Sequence, residues 1–183
     1  MLGIVFTEFQ EFIEESFSPD MYDELIEGAK ALESEGAYTA VGNYDYTEIL
    51  QLVSVLSTKT SVSIPDLVKT FGQHLFGRFY ELYPAFFIDI RGSYDFLQTI
   101  EDHIHVEVKK LYPEAELPSF DCREDENSKM EMIYTSARPF ADLAEGLIVG
   151  CILHYKEDIQ VDRLDLQPEN GKNKTQFKLT LNT

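Results

Sequence analysis

Two histidines stand one residue apart in 103-HIHVEVKKLYPEAELP-118, and imidazole is the side chain best suited to bind a metal or move a proton near neutral pH. The run reads as helix. Alternate helix positions point about 200° apart, so His103 and His105 cannot serve one site from one face. On a helix over 92–111 the apolar stripe is Leu97, Ile100, Ile104, Val108 and Leu111. At about 100° per residue, His105 lies about 80° from the centre of that stripe, next to Tyr112. His103 lies about 120° away on the other side, toward solvent with Phe96 near it. The angle favours His105 as the buried ring, and leaves a hydrogen-bonded or solvated histidine open. Neither ring has a Cys or a second His at ligand spacing, so a zinc cage is excluded. One imidazole is enough only when a macrocycle supplies the other four ligands, as haem does.

A second array lies in 130-MEMIYTSAR-138. If this is a strand, Tyr134, Ser136 and Arg138 share a face with Met130 and Met132. An Arg forks onto a carboxylate or phosphate, and the two hydroxyls can complete the remaining acceptor positions. Such a face suits a ligand with an apolar body and an anionic end. Taken by itself, the pattern is met more often in a polar strand face left in solvent.

The elements that must position these groups are helical first and extended later. Helices are expected over 3–17, 20–32, 45–58 and 63–84, with stops or caps at Ser18-Pro19 and Ser63 and a close at Pro84. A loop over 33–46 and a short apolar link over 86–90 join them. Gly92-Ser93 opens the helix of the paired histidines, and Pro113 limits it. After Pro118 strands are expected over 118–124 and 130–138 around a turn at 125–129. A helix over 139–156 follows, then a hairpin of 158–166 and 175–182 about the polar turn 167–174. The fold class is α+β: a mainly helical N-terminal two-thirds, then a four-stranded antiparallel sheet with one inserted helix.

The chain of 183 residues is 44% hydrophobic and 13% aromatic, which suits one packed domain over 1–183 rather than disorder. A net charge of −18 argues against nucleic acid as a partner, because that affinity rests on basic residues. It suits solubility, or an acidic face offered to a basic partner protein. The run 146-GLIVGCIL-153 is too short to span a bilayer, and the first residues lack the pattern of a secretory signal. The expected compartment is the cytoplasm. Cys122 and Cys151 are expected as free thiols, the first at the surface and the second in the core.

Together the two arrays resemble the haem nitric oxide/oxygen-binding (H-NOX) family, related to the haem domain of soluble guanylate cyclase. The likeness is carried by Ile104, His105, Val108, Leu111, Tyr112, Pro113, Ala115, Leu117 and Pro118, followed by Tyr134, Ser136 and Arg138. It extends to Met1, Gly3 and Ile4, to Phe71-Gly72, and to 144-AEGL-147, in the family's order along the whole chain. The resemblance implies haem b buried between the helices and the sheet. It makes His105 the proximal ligand of the haem iron, with Tyr134, Ser136 and Arg138 on the propionates and Pro118 distorting the ring. Val5, Phe9, Leu75, Leu143 and Leu147 map to the distal pocket.

Relatives that bind oxygen stably carry a distal tyrosine in the helix after the Tyr-x-Ser-x-Arg motif. Here that position is Leu143, and no tyrosine occurs over 139–154. The resemblance therefore implies a sensor that binds NO and CO, excludes O₂, and has no catalytic activity of its own. NO would weaken the iron–His105 bond and shift the domain's conformation. The implied protein partner is a histidine kinase or a cyclic-di-GMP enzyme. Some relatives bind zinc near the C-terminal sheet, but residues 158–183 hold no Cys or His, so no zinc is expected. His103 would be a bystander. His74 is expected at the surface, with a distal-ligand role the lesser alternative, and His154 at a helix C-terminus in a favourable dipole position. Rival readings are a haem-containing gas carrier or scavenger and a non-haem acidic interaction module.

Overall fold

The computed structural model describes residues 1–125 and 129–182. Four helices come first: α1 (Gly3–Ser16), α2 (Pro19–Gly28), α3 (Tyr46–Thr60) and α4 (Ile64–Leu82). Three starts are fixed by side chains that accept an otherwise unpaired N–H: Ser18 from Met21, Asp45 from Thr47 and Ser63 from Asp66. A 3₁₀ turn over Pro84–Phe87 replaces the expected apolar link.

The expected continuous helix over 92–111 is broken. It comprises α5 (Ser93–Thr99), a π segment (Ile100–Ile104) and α6 (His105–Leu111). The His105 N–H bonds to the Ile100 carbonyl, five residues back. A π turn holds an extra residue, so every later side chain is rotated by about 100° from its α-helical phase. Leu97 stays in the core at the α-helical end of the stripe, whereas Leu111 ends 72% exposed. Phe96 is buried rather than beside His103, whose aromatic neighbour is Phe86 at 5.8 Å.

Strands β1 (Ser119–Glu124), β2 (Lys129–Ser136), β3 (Ile159–Glu169) and β4 (Lys172–Leu181) form an antiparallel sheet in the order β1-β2-β4-β3. The turn expected at 125–129 falls across 126–128, outside the described residues. The β3–β4 turn is tighter than the eight-residue turn expected: Asn170 and Gly171 both have positive φ, +52° and +74°. That pair suits the twist of a two-residue hairpin, and a register shift between Leu166 and Glu169 takes up the rest. Helix α7 (Ala141–Tyr155) is inserted between β2 and β3.

Helix α7 serves two cores. Leu143 and Leu147 pack on a cluster from α1–α4, while Ala144, Ile148, Cys151 and Ile152 join Met130, Met132, Phe177 and Leu179 of the sheet. It crosses α4 through glycines: a Cβ on Gly72 would lie 2.6 Å from the Leu143 carbonyl oxygen, and one on Gly146 would run into Lys69 O. Arg163 of β3 ties the crossing to the sheet by binding Asp142 at 2.5 Å and Glu145 at 3.1 Å, and Lys69 of α4 also binds Glu145.

Candidate functional site

His105 opens α6 with its side chain 16% exposed, while His103 faces solvent. The His105 Nδ1 lies 3.3 Å from the Glu101 carboxylate. A carboxylate can only accept, so Nδ1 carries the proton and Nε2 keeps its lone pair. Burial lowers the pKa of this ring and Glu101 opposes that effect, so the neutral, metal-binding form is favoured at neutral pH. The Phe120 N–H donates to the same Glu101 oxygen at 3.0 Å, which pins the π segment to β1. Glu101 stands four residues before His105, a spacing that a regular helix also brings together, whereas its contact with Phe120 comes from a distant strand and leaves no local signal in the sequence.

The ring of Phe120 lies 6.0 Å from His105 on one side and 5.4 Å from Tyr134 on the other. It links the imidazole to β2. That strand alternates as expected: Met130, Met132, Tyr134 and Ser136 are buried, so the face is not a polar one left in solvent. Burial raises the Tyr134 phenol pKa, against a hydrogen bond with Ser136 and the nearby Arg138 charge. The Ser136 hydroxyl also accepts the Arg138 N–H at 3.0 Å.

Arg138 lies two residues beyond the end of β2, its side chain 16% exposed and its guanidinium 5.6 Å from the centroid of the Tyr46 ring. Its Nη2 donates to the Glu116 carboxylate at 2.7 Å and its Nη1 to the Glu116 carbonyl at 3.4 Å. Pro118 is half-buried and lies one residue before β1, whose first residue Ser119 pairs with Thr135 of β2.

All five apolar positions singled out in the sequence meet in one cluster. Phe9 and Leu75 are buried in it, and Val5, Leu143 and Leu147 pack against it. Leu147 also packs on the cluster that holds Tyr134, so the two groups meet along α7.

His74 is not the surface residue expected. Its side chain is 18% exposed and packs on Phe12 at 5.3 Å; Nδ1 is 3.9 Å from Glu15, and Nε2 is buried without a hydrogen-bond partner among the described residues. Burial lowers its pKa. Cys122 is also no surface thiol: it is half-buried, 3.7 Å from the Leu97 carbonyl, and burial pushes its pKa up to about 11. Cys151 lies in the core as expected. His154, in the last turn of α7, has its ring 4.1 Å from that of Tyr80.

This donor set fits a haem. It offers one neutral imidazole with a free lone pair, two hydroxyls and a guanidinium at the end of one strand face, and a body of apolar side chains on α1, α4 and α7. An α+β fold with such a site defines a class of haem-pocket proteins. The chain belongs to the haem-NO-binding (H-NOX) family of haem-based gas-sensor domains, whose family model matches residues 2–163. Solved relatives extend the match over all of this chain. An Fe(II) unliganded H-NOX protein from K. algicida is 37% identical, covered over 97% of its length, with a TM-score of 0.89. The IWP-051-bound, Fe(II)CO form of H-NOX from Shewanella woodyi is 42% identical, covered over 95%, with a TM-score of 0.82. An H-NOX protein from S. oneidensis in the Fe(II)NO state is 26% identical, covered over 100%, with a TM-score of 0.89. Among the described residues, no helix is long and apolar enough to cross a membrane.

Proposed function

We propose that residues 1–183 act as one cytoplasmic sensor domain that holds haem b through His105, responds to NO and CO, and discriminates against O₂. It has no catalytic activity of its own, binds no zinc, and passes its signal to a protein partner such as a histidine kinase or a cyclic-di-GMP enzyme. The observation that carries this reading is the apolar character of Val5, Phe9, Leu75, Leu143 and Leu147, which pack as one group. Bound O₂ develops negative charge and needs a hydrogen-bond donor, whereas NO binds ferrous haem strongly without one. Relatives solved in Fe(II)NO and Fe(II)CO states support those two gases as ligands.

When bound, the haem would supply a ferrous iron able to take up a diatomic gas. His105 would supply Nε2 to the iron, with Glu101 holding its other nitrogen. Tyr134, Ser136 and Arg138 would hold the propionates, and Pro118 would press on the ring. His105, on α6, would be the residue whose hold on the haem responds to NO, and a loosened hold would free α6 to move. The π segment at its start and Pro113 at its end bound the element whose position carries the signal. A ligand that favours one of two positions of that element shifts the domain between them.

The test is the absorbance of the purified ferrous protein. A Soret band is expected after haem supply, unchanged in air and shifted by CO and by NO. No band after haem supply would end the proposal, and a stable oxygen complex in air would overturn the selectivity. A His105→Gly variant with unchanged haem coordination would move the ligand elsewhere.

A further inference from the structure

The anion fork of Arg138 already has a partner on this chain. Nη2 donates to the Glu116 carboxylate at 2.7 Å, and Nη1 reaches the carbonyl of the same residue at 3.4 Å. Both terminal nitrogens of the guanidinium are thus directed at one residue, and the Nη1–Nη2 edge is the side on which an incoming carboxylate would seat. The two partners differ in setting. Arg138 is 16% exposed and braced by Tyr46, whereas the Glu116 side chain is 78% exposed. Arg138 is therefore the fixed half of the pair and Glu116 the half that can leave.

Glu116 is placed by the chain rather than chosen by a helix or strand. It lies in the segment between α6 and β1, where buried Ala115 on one side and half-buried Leu117 and Pro118 on the other hold the backbone against the protein. Its carboxylate adds a negative charge at the mouth of a site whose proposed ligand carries two carboxylates of its own.

We propose that Glu116 is an internal competitor for Arg138 that sets how tightly the site holds the carboxylate ends of its haem. This rests on the proposed function above. Seating a propionate on Arg138 displaces the Glu116 carboxylate or leaves two carboxylates around one guanidinium, and either outcome costs binding energy. The competition is between charges at a solvent-facing rim, so it is modest and screened by salt.

The test compares wild type, Glu116→Gln and Glu116→Ala for release of haem to an apomyoglobin scavenger, and repeats the comparison with haem dimethyl ester, which has no free carboxylates. Both variants are expected to release haem about three- to fivefold more slowly than wild type at low salt, the range of an exposed charge pair. The gain shrinks at high salt, and release of the dimethyl ester is the same for all three proteins. Release of haem at the wild-type rate, or faster, from both variants overturns the proposal, the latter by making Glu116 a positioning partner of Arg138. Equal slowing for haem and its ester also overturns it, because the effect would then not act through carboxylates. A wild-type protein that takes up no haem removes the proposed function as well; normal uptake with no difference among the three removes only this proposal. Thermal unfolding of each protein without haem confirms that the variants fold.

Discussion

Glu101 lies 3.3 Å from Nδ1 of His105, one turn earlier in the chain, and the oxygen that faces the imidazole also receives the Phe120 N–H. One carboxylate thus fixes the tautomer of the imidazole and ties its helix to β1. A hydrogen-bonded carboxylate behind a ligating imidazole makes it a stronger donor. In Glu101→Gln the Fe–His stretching band of the ferrous protein is expected at lower frequency by resonance Raman, with the Phe120 contact retained. Glu101→Ala loses both contacts and about 1–2 kcal/mol of stability in denaturant unfolding. An unchanged stretching band in both variants would show that Glu101 has no hold on the ring.

The proposed distal group gives a prediction of opposite sense. Leu143 packs with Phe9 and Leu75 and offers no hydrogen-bond donor. Leu143→Tyr adds a phenol to that group, and the ferrous variant in air is expected to show an oxygen complex, with none expected for wild type. A variant whose spectrum in air matches wild type would place Leu143 away from the gas.

The burial of two histidines predicts a dependence on pH. His74 and His105 both have pKa values lowered from the ordinary 6.5, chiefly by burial. The unfolded chain binds those protons at the ordinary pKa, so the stability of the neutral rings is complete above about 6.5. It is lost as pH falls from there through the folded values. Replacing His74 by Phe removes one such ring and its unpaired Nε2. The variant is expected to match wild type at pH 7 and to exceed its denaturation midpoint at pH 5. Parallel losses in the two proteins would rule His74 out as a contributor.

Two glycines of α4 should respond in opposite ways to alanine. A Cβ at Gly72 would stand 2.6 Å from Leu143 O and 2.8 Å from Gly146 Cα, both backbone atoms that cannot turn aside. Gly72→Ala must push α4 and α7 apart, at a cost of about 2 kcal/mol. A Cβ at Gly77, in the same helix, meets nothing within 4 Å. Gly77→Ala is expected to gain up to about 1 kcal/mol of helix stability. Thermal unfolding of the two variants checks both signs.

What local chemistry controls was legible in the sequence. The period-two pattern of 130–136 put Tyr134 and Ser136 on one face with the two methionines, because pleat alternation needs no distant partner; that this face is buried came with the packing. The caps at Ser18 and Ser63 marked helix starts for the same reason. The angle argument preferred His105 to His103, and His105 is the more buried of the two.

The tertiary structure alone decided what depends on residues far apart or on a departure from regular geometry. The π segment turned Leu111 out of the expected stripe, since five-residue bonding leaves no mark in a 3.6-residue period. The burial of His74 against Phe12, the sharing of Glu101 between His105 and Phe120, and the pairing of Arg138 with Glu116 all join separate stretches of chain. Sequence patterns report which face of an element is apolar. Which partner meets that face, and which charge meets which, is set only when the elements pack.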